Sequence, residues 1–274
     1  MTIHVNTIVK NEEKWLWYSV ASIVDHIDKI LLWDTGSTDN TPDIIRELQR
    51  KYPDKIFIKE VGDVNPSKFS KIRQQMLSES SCDWVLVLDG DEIWWEDSIS
   101  KIIEEINRDE CDAIVSPFIN VIGDIFHYQE EAAGKYRIDG ITGNITIRGF
   151  RKGIKGLHLS KDYGQEGFVD NSGEFIQESG EVKRKFIDEP FLHLTHLRRS
   201  SKDNEVMQRE LKLKHELGVP FPKDFYYPEV FFRNRPAIVE SPWGVMSKQF
   251  KFRAFFETPL RKIKRRIWYG KVGY

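Results

Sequence analysis

The chain has little cysteine and no long apolar run. Cys82 and Cys111 are its two cysteines among 274 residues, and neither belongs to a C-x-x-C pair, so no disulfide framework is predicted and a reducing compartment is favoured. No apolar run approaches the roughly 20 residues that a helix needs to cross a bilayer. The first residues also lack the basic and long apolar segments of a signal peptide. We therefore expect a cytoplasmic protein, either free in solution or peripheral to the inner face of the membrane.

Three common enzyme motifs are absent from the sequence. No G-x-G-x-x-G follows the first apolar segment, which disfavours a dinucleotide site, and no G-x-x-x-x-G-K-[ST] occurs, which excludes a P-loop enzyme. The absence of G-x-S-x-G argues against the nucleophile elbow of an α/β-hydrolase. The formal net charge is −2, so the composition predicts no nucleic-acid partner.

The charge is nevertheless distributed unevenly. Residues 246–274 contain nine Lys and Arg against one Glu, a local net charge of +8, which leaves −10 on the rest of the chain. This asymmetry predicts an acidic body with a basic tail that meets an anionic surface.

Short apolar segments alternate with helical patterns along the first half of the chain. Strands are predicted at 3–9, 29–33, 55–61, 84–88, 113–118, 145–147 and 191–197. Helices are predicted at 12–27, after the cap-and-proline pairs Thr41-Pro42 and Asn65-Pro66, at 98–108 and at 201–217. Such alternation predicts an α/β fold, with a mostly parallel, Rossmann-like sheet covered by helices.

Two polar clusters directly follow predicted strands, D-T-G-S-T-D at 34–39 and D-G-D-E at 89–92. Ligands of parallel sheets bind at the carboxyl ends of the strands. A plain turn does not explain three carboxylates after a buried strand. A calcium loop would need an oxygen ligand and then a glycine where Ile93 and Trp94 stand. Asp89 and Asp91 are therefore predicted to hold a hard divalent cation together with substrate phosphates. Trp94 and Trp95 are left between core packing and an exposed stacking surface.

Four segments resemble glycosyltransferase family 2 in their order and spacing: TIVKNEE at 7–13, ILLWDTGSTDNTPDII at 30–45, KIRQQML at 71–77 and CDWVLVLDGDEIWW at 82–95. The resemblance is close over 1–118 and looser over 119–200. It implies a GT-A fold, with a nucleotide-sugar-binding half at 1–118 and a mixed acceptor and catalytic half at 119–217. Residues 218–274 are then an aromatic-rich extension that ends in a basic amphipathic helix.

The resemblance also implies the roles of single residues. The nucleotide-sugar-binding residues are expected to be Thr7, Val9, Asn11, Glu13, Asp34, Thr35, Arg73, Asp89 and Gly90. Thr35 stands where similar proteins often have a second aspartate, which leaves the identity of the base open. Asp89 would approach the ribose or the metal, and Asp91 would ligate Mn²⁺ or Mg²⁺, with the cation bridging to the diphosphate.

A histidine near the position of H-L-T-H at 193–196 often ligates the metal in similar proteins. Residues i and i+3 of a strand point to opposite faces, so one of His193 and His196 is expected to reach the metal, and the match favours His193. Similar proteins often carry His-Glu after a short F-R strand, but here Leu159 follows the histidine. The carboxylate that accepts the acceptor proton is therefore sought among Glu166, Asp162 and Asp170, with Glu166 preferred.

The function predicted from these residues is inverting, metal-dependent sugar transfer. A UDP-, GDP- or dTDP-sugar would be the donor, and a hydroxyl of a glycan or lipid-linked molecule the acceptor. Two alternatives remain open. One is a sugar-phosphate nucleotidyltransferase, although TIVKNEE lacks the glycines of its N-terminal loop. The other is a non-catalytic binding protein of the same fold, which the missing His-Glu pair motivates.

The basic tail carries its own pattern. Phe256, Leu260, Ile263 and Ile267 recur at i, i+4, i+7 and i+11, with five Lys and Arg filling positions 261–266. Thr258 is predicted to cap this helix and Gly270 to end it, with Trp268 and Tyr269 near its end. Two outcomes are open: the helix lies on an anionic membrane surface, or it docks on the protein body with its basic face in water.

Overall fold

The alternating segments of the first half fold as strands and helices in the predicted order. The computed structural model describes residues 1–161 and 164–267. The strands are β1 (Ile3–Val9), β2 (Lys29–Asp34), β3 (Ile56–Glu60), β4 (Trp84–Val87), β5 (Glu92–Trp94), β6 (Ala113–Ile122), β7 (His127–Tyr128), β8 (Tyr136–Ile138), β9 (Ile141–Gly143), β10 (Ile145–Arg151), β11 (His158–Ser160), β12 (Gly167–Val169), β13 (Arg184–Phe186), β14 (Phe191–His196) and β15 (Val219–Pro220). The helices are α1 (Leu16–Ile23), α2 (Thr41–Lys51), α3 (Pro66–Glu79), α4 (Glu96–Arg108), α5 (Arg209–Lys212) and α6 (Lys248–Ile267).

The central sheet is parallel on one side and mixed on the other. Strands β3, β2, β1 and β4 are parallel neighbours, and β10 runs antiparallel between β4 and β6. The first half of β6 pairs with β10 and β13, whereas its second half pairs with β14. Strand β14 also pairs with β5, which begins at the last residue of D-G-D-E. Strand β14, about a hundred residues further along the chain, thereby lies beside the acidic turn that follows β4.

Helices cover both faces of the parallel part. Neighbouring residues of a strand point to opposite faces, and β2 follows this rule. Leu32 is buried in the cluster that includes Leu16 of α1 and Ile44 of α2, whereas Leu31 is buried against Ile72 of α3. Burial on both faces explains why these strands are continuous apolar runs.

Trp94 and Trp95 belong to the core. Trp94 is stacked on Phe191 with ring centroids 4.5 Å apart. The indole Nε1 of Trp95 donates to the carbonyl of Tyr226 at 2.9 Å. Both rings are at least nine-tenths buried, so neither offers a stacking surface to a sugar.

The predictions for the first helix and for the helix at 201–217 need correction. The first helix begins at Leu16 rather than residue 12, because Asn11 has a positive φ of 54° and the N–H of Glu12 donates to Thr41 Oγ1 at 2.7 Å. The helix predicted at 201–217 is wrong. This segment holds a single 3₁₀ turn and the four-residue α5, because Arg209 turns inward to donate to the carbonyls of Lys10 and Asn11.

The C-terminal helix begins eleven residues earlier than predicted. Helix α6 starts after Ser247, whose hydroxyl accepts from the N–H of Phe250 at 3.0 Å, and it continues through Pro259. Thr258 is an interior residue rather than a cap, and its Oγ1 donates to the carbonyl of Ala254 at 2.6 Å. The expected ending at Gly270, together with Trp268 and Tyr269, lies outside the described residues. Within the described ranges, no helix combines the length and apolar character needed to cross a bilayer.

Candidate active site

A cleft of about 410 Å³ opens at the carboxyl ends of the parallel strands. Its walls come from the end of β1, the turn after β4, strand β10, helix α3 and the segment from β14 to α5. Among the described lining residues are six cationic side chains and four carboxylates. The cations are Lys10, Arg73, Arg148, Arg199, Arg209 and Lys212, and the carboxylates are Glu12, Asp89, Asp91 and Glu166. This excess of cations suits an anionic ligand.

The turn after β4 passes very close to the end of β1. A Cβ on Gly90 would lie 2.9 Å from Cγ of Glu12 and 3.3 Å from Cγ1 of Val9. Only glycine therefore fits the turn without displacing these side chains. Ser19 Oγ donates to the carbonyl of Asp89 at 2.9 Å and fixes the turn from below.

Two arginines neutralise Asp89. Arg148 Nη2 lies 3.3 Å from Asp89 Oδ2, and Arg73 Nη2 lies 3.5 Å from Oδ1. Burial alone would raise the pKa of Asp89, but Arg148 and then Arg73 hold it well below its usual range. The carboxylate is ionised at neutral pH.

Glu92 lies beneath the turn and is fully buried. It forms an ion pair with Arg148, and its Oε2 accepts from the N–H of Asp89 at 3.3 Å. Burial pushes the pKa of Glu92 upward, and the Arg148 guanidinium opposes this effect by favouring the charged form. Glu92 thus positions the turn and Arg148 instead of facing the cleft.

Asp91 belongs to a buried chain of alternating charges. Arg199 Nη1 lies 2.7 Å from Asp91 Oδ2 and 3.1 Å from Glu12 Oε1, and Arg209 pairs with the same oxygen of Glu12. Burial raises the pKa of Glu12 to about 7 in spite of these two arginines. For Asp91 the opposing charges, Arg199 foremost, outweigh burial and lower its pKa. The chain of charges ties the turn after β4 to the segment after β14.

The two histidines of β14 lie in different surroundings. His193 Nε2 is 3.8 Å from Asp91 Oδ2, and burial lowers the pKa of His193 to about 4. His196 Nδ1 instead lies 2.8 Å from the carbonyl of Lys212, and its Nε2 lies 3.1 Å from Lys214 Nζ. His193 therefore faces the carboxylates as a neutral imidazole, and His196 faces the chain behind the cleft.

The residues around Asp91 fit a divalent cation. In the described part of the chain, Asp91 Oδ2 is buried and accepts no well-directed hydrogen bond, and His193 Nδ1 has no hydrogen-bond partner there. The described residues contain no group of three or more protein ligands. A cation held by one or two carboxylates and by substrate phosphates does not require such a group.

Several predicted nucleotide-binding residues lie behind the cleft wall. Asn11 Oδ1 accepts from the N–H of Thr38 at 2.7 Å, Glu13 Oε1 accepts from the N–H of Ser201 at 2.6 Å, and Asp34 Oδ1 accepts from Ser37 Oγ at 2.6 Å. Thr7 is fully buried in β1. The first three side chains hold loops in place, and Thr7 packs within the sheet. Val9, Thr35, Arg73, Asp89 and Gly90 do line the cleft.

The three candidate bases are placed differently. Glu166 is half-buried and lines the cleft. Asp162 lies outside the described residues. Asp170 is buried and points into its own turn, where Oδ1 accepts from the N–H of Ser172 at 2.8 Å and Oδ2 accepts from Ser179. Asp170 is consequently not positioned to take a proton in the cleft.

The Asp170 turn gives a stability prediction. Hydrogen bonds from Ser172 and Ser179 hold the pKa of Asp170 at about 2, below its ordinary 3.8. Because the folded-state pKa is depressed, this carboxylate stabilises the fold above its ordinary pKa, and its contribution is lost as the pH falls toward about 2. We expect Asp170→Asn to lower the Tm at neutral pH. The difference from the parent chain should shrink when thermal unfolding is measured in increasingly acidic buffer, and an undiminished difference would contradict this assignment.

Sequence reasoning found Arg73 but missed Arg148, Arg199 and Arg209, which also surround the carboxylates. Arg148 lies where the pairing of β10 with β6 shifts register between Ile147 and Gly149. Such an irregularity re-aims a side chain and leaves no mark on the apolar pattern. Arg199 could have been found, because it closely follows a predicted strand, at the end where the other polar clusters stand.

Comparison with known proteins identifies the family of this chain. The family model described as Glycosyl transferase family 2 matches residues 5–161. The SPbeta prophage-derived glycosyltransferase SunS of Bacillus subtilis is 28% identical over 142 residues, which cover 51% of this chain and 32% of SunS. The minor teichoic acid biosynthesis protein GgaA of the same organism is 24% identical over 162 residues, which cover 57% of this chain and 32% of GgaA. The matched part thus spans about a third of each relative's length.

A solved structure shares the fold. TarS 1-349 of S. aureus in complex with UDP-GlcNAc superposes with a TM-score of 0.50 and 13% identity, covering 71% of this chain and 58% of that chain. The expected GT-A fold is thereby confirmed. Because the family model also matches more than half of its length, this chain belongs to glycosyltransferase family 2.

Proposed function

We propose that this chain transfers a sugar from a nucleoside diphosphate sugar to a hydroxyl of a glycan or lipid-linked acceptor, with inversion at the anomeric carbon. The observation that carries the proposal is the cleft at the strand ends, where the excess of cations surrounds the ionised pair Asp89 and Asp91. A diphosphate brings negative charge, and this charge increases on the leaving group as the glycosidic bond breaks. Positioned cations stabilise such developing charge strongly.

Asp91 and His193, with Asp89 beside them, would hold Mn²⁺ or Mg²⁺. The cation would supply electrostatic stabilisation of the departing diphosphate. Burial keeps the imidazole of His193 neutral, which is the form that can act as a ligand. Arg199 holds Asp91 ionised and at a fixed place.

The arginines around Asp89 serve the diphosphate in this proposal. Arg73 and Arg148 reach Asp89 from α3 and β10, and both line the cleft. Their planar guanidinium groups can bind phosphate oxygens with two parallel hydrogen bonds. Lys212 adds a further positive charge from α5.

Glu166 is the proposed general base. Its carboxylate takes the proton of the acceptor hydroxyl while the acceptor oxygen bonds to the anomeric carbon. The bond between that carbon and the diphosphate oxygen breaks in the same step, so the attack comes from the opposite face and the configuration inverts. The half-buried position of Glu166 in the cleft supports this role over that of Asp170.

The proposal predicts that a donor stabilises the fold with the help of the metal. A ligand that binds only the folded state, at a hundred times its Kd, adds about 2.7 kcal/mol to the free energy of unfolding. We expect one of UDP-, GDP- or dTDP-sugars to raise the Tm in the presence of Mn²⁺ and much less in EDTA. Thermal unfolding with each donor would measure this effect. Release of pyrophosphate from a nucleoside triphosphate would instead favour a nucleotidyltransferase.

The two histidines supply a matched control for the metal. His193→Gln is expected to raise the Mn²⁺ concentration that gives half of the donor-dependent Tm shift, by roughly tenfold or more. His196→Gln makes the same chemical change three positions away, where the ring faces Lys212 and Lys214. It should leave the Mn²⁺ requirement unchanged. Equal effects of the two substitutions would remove His193 from the proposed site.

A further inference from the structure

Helix α6 carries an apolar stripe that faces away from the protein body. Phe252, Phe256, Leu260 and Ile267 are 72, 59, 68 and 77% exposed. Together with Phe255 and Ile263 they form the outer stripe. Large apolar side chains exposed side by side on one helix mark a surface that meets another apolar phase or another molecule.

The opposite face of α6 fixes the helix to the body. Ala254 and Thr258 are buried, and the N–H of Leu217 donates to Thr258 Oγ1 at 3.0 Å. Arg265 forms ion pairs with Glu216 and with Glu130, the latter at 3.0 Å. The body therefore contacts the face of α6 that carries small and polar side chains, and the outer stripe remains exposed.

Cations border the outer stripe on both sides. An α-helix turns by about 100° per residue, which places Lys251 and Lys262 along one edge of the stripe. Arg253 and Lys264 fall along the other edge, where Arg253 also pairs with Glu257 at 2.6 Å. Lys248 and Arg266, near the two ends of the helix, fall just inside the first edge. A mainly apolar face flanked by Lys and Arg is the pattern of helices that lie in the surface of an anionic bilayer.

We propose that α6 lies in the surface of an anionic membrane, with the outer stripe among the acyl chains and the bordering cations at the lipid phosphates. Each Lys or Arg near such a surface contributes about 1 kcal/mol of attraction. Charge complementarity favours a bilayer over a second copy of the chain. Two stripes packed face to face would bring the rows of cations together, whereas anionic lipid neutralises them.

The position of α6 connects this surface to the cleft. Lys212 lines the cleft, and Leu217, five residues later, is hydrogen-bonded to Thr258 of α6. A membrane-bound α6 would hold the cleft close to the lipid headgroups. If the proposed sugar transfer holds, its acceptor is then a lipid-linked molecule presented at the membrane surface and not a glycan free in solution.

Sedimentation with lipid vesicles tests the membrane proposal without any donor or acceptor. We expect the full chain to sediment with vesicles in which about a third of the lipid is phosphatidylglycerol, and less with pure phosphatidylcholine or in high salt. Phe252→Ser combined with Phe256→Ser should lower the partition coefficient roughly tenfold or more, because two aromatic rings that enter the acyl chains are lost. Phe57→Ser combined with Phe232→Ser makes the same change at exposed positions outside α6 and should bind like the parent chain.

Three outcomes would overturn the proposal. The first is no sedimentation with anionic vesicles, and the second is equal binding by the two double variants. The third is a dimer in solution that the Phe252 and Phe256 substitutions convert to a monomer, since that result would assign the stripe to a second copy. Each outcome leaves the sugar-transfer proposal standing, because vesicle binding requires neither Asp91 nor a nucleotide.

Discussion

Replacing Asp91 by asparagine is expected to slow sugar transfer by roughly a hundred- to a thousandfold, the scale of losing one positioned electrostatic group in an active site. Asp91 is buried, ionised and 3.8 Å from His193, and in the proposed mechanism it is the main protein ligand of the cation. Asparagine keeps the shape of the side chain and removes its charge. Transfer from the donor identified by thermal unfolding would be measured with saturating Mn²⁺, so that weaker metal binding is separated from lost chemistry.

Asp170→Asn is the matched control. It replaces another buried aspartate, whose side chain accepts hydrogen bonds within a turn outside the cleft. We expect this variant to retain transfer activity at a temperature where it is folded. Full turnover by the Asp91 variant, or an equal loss in the two variants, would contradict the proposed role of Asp91.

Replacing Arg199 by methionine is expected to give the largest loss of stability. Arg199 is buried and contacts two buried carboxylates, Asp91 at 2.7 Å and Glu12 at 3.1 Å. Removing one partner of a buried ion pair leaves the other charge uncompensated and costs about 3–5 kcal/mol. Since 1 kcal/mol shifts the Tm of a chain of this size by roughly 2–4 °C, we expect the Tm to fall by roughly 6–20 °C. Thermal and denaturant unfolding of the Arg199→Met variant and the parent chain would measure this loss of stability.

An exposed arginine and a double variant test the reason for this loss. Arg253 pairs with Glu257 on the surface of α6, with its own side chain 62% exposed, so Arg253→Met should change the free energy of unfolding by less than about 1 kcal/mol. Without Arg199, Glu12 keeps its ion pair with Arg209, whereas Asp91 loses its arginine. In the double variant Arg199→Met with Asp91→Asn, this uncompensated carboxylate is gone. The combined loss should therefore be smaller than the sum of the single losses, by about 0.5–3 kcal/mol. Strict additivity would show that Arg199 acts through packing and not through Asp91.

The strands and helices of the first half were predictable because each is encoded by a pattern of a few neighbouring residues. Strand β1 has the predicted bounds Ile3–Val9, since a β-branched run buried on both faces admits few alternatives. Asn65 caps α3 as predicted, and its side chain accepts from the N–H of Lys68 at 3.0 Å. The helix predicted at 201–217 was wrong because the conformation of this segment depends on distant contacts. Arg209 gains partners at the end of β1, nearly two hundred residues away, and these contacts outweigh the helical preference of the segment.

The sequence by itself determined the sheet, the family and the pair Asp89 and Asp91 at a strand end. Periodicity, caps and the spacing of polar clusters are all encoded over a few residues. Only the tertiary structure decided which arginines neutralise these carboxylates, that His193 rather than His196 faces them, and that the apolar stripe of α6 points outward. Each of these depends on residues far apart in the chain, such as Asp91 with Arg199 or Leu217 with Thr258. The burial of a charge and the side on which a helix docks are properties of the packed chain, and no local pattern records them.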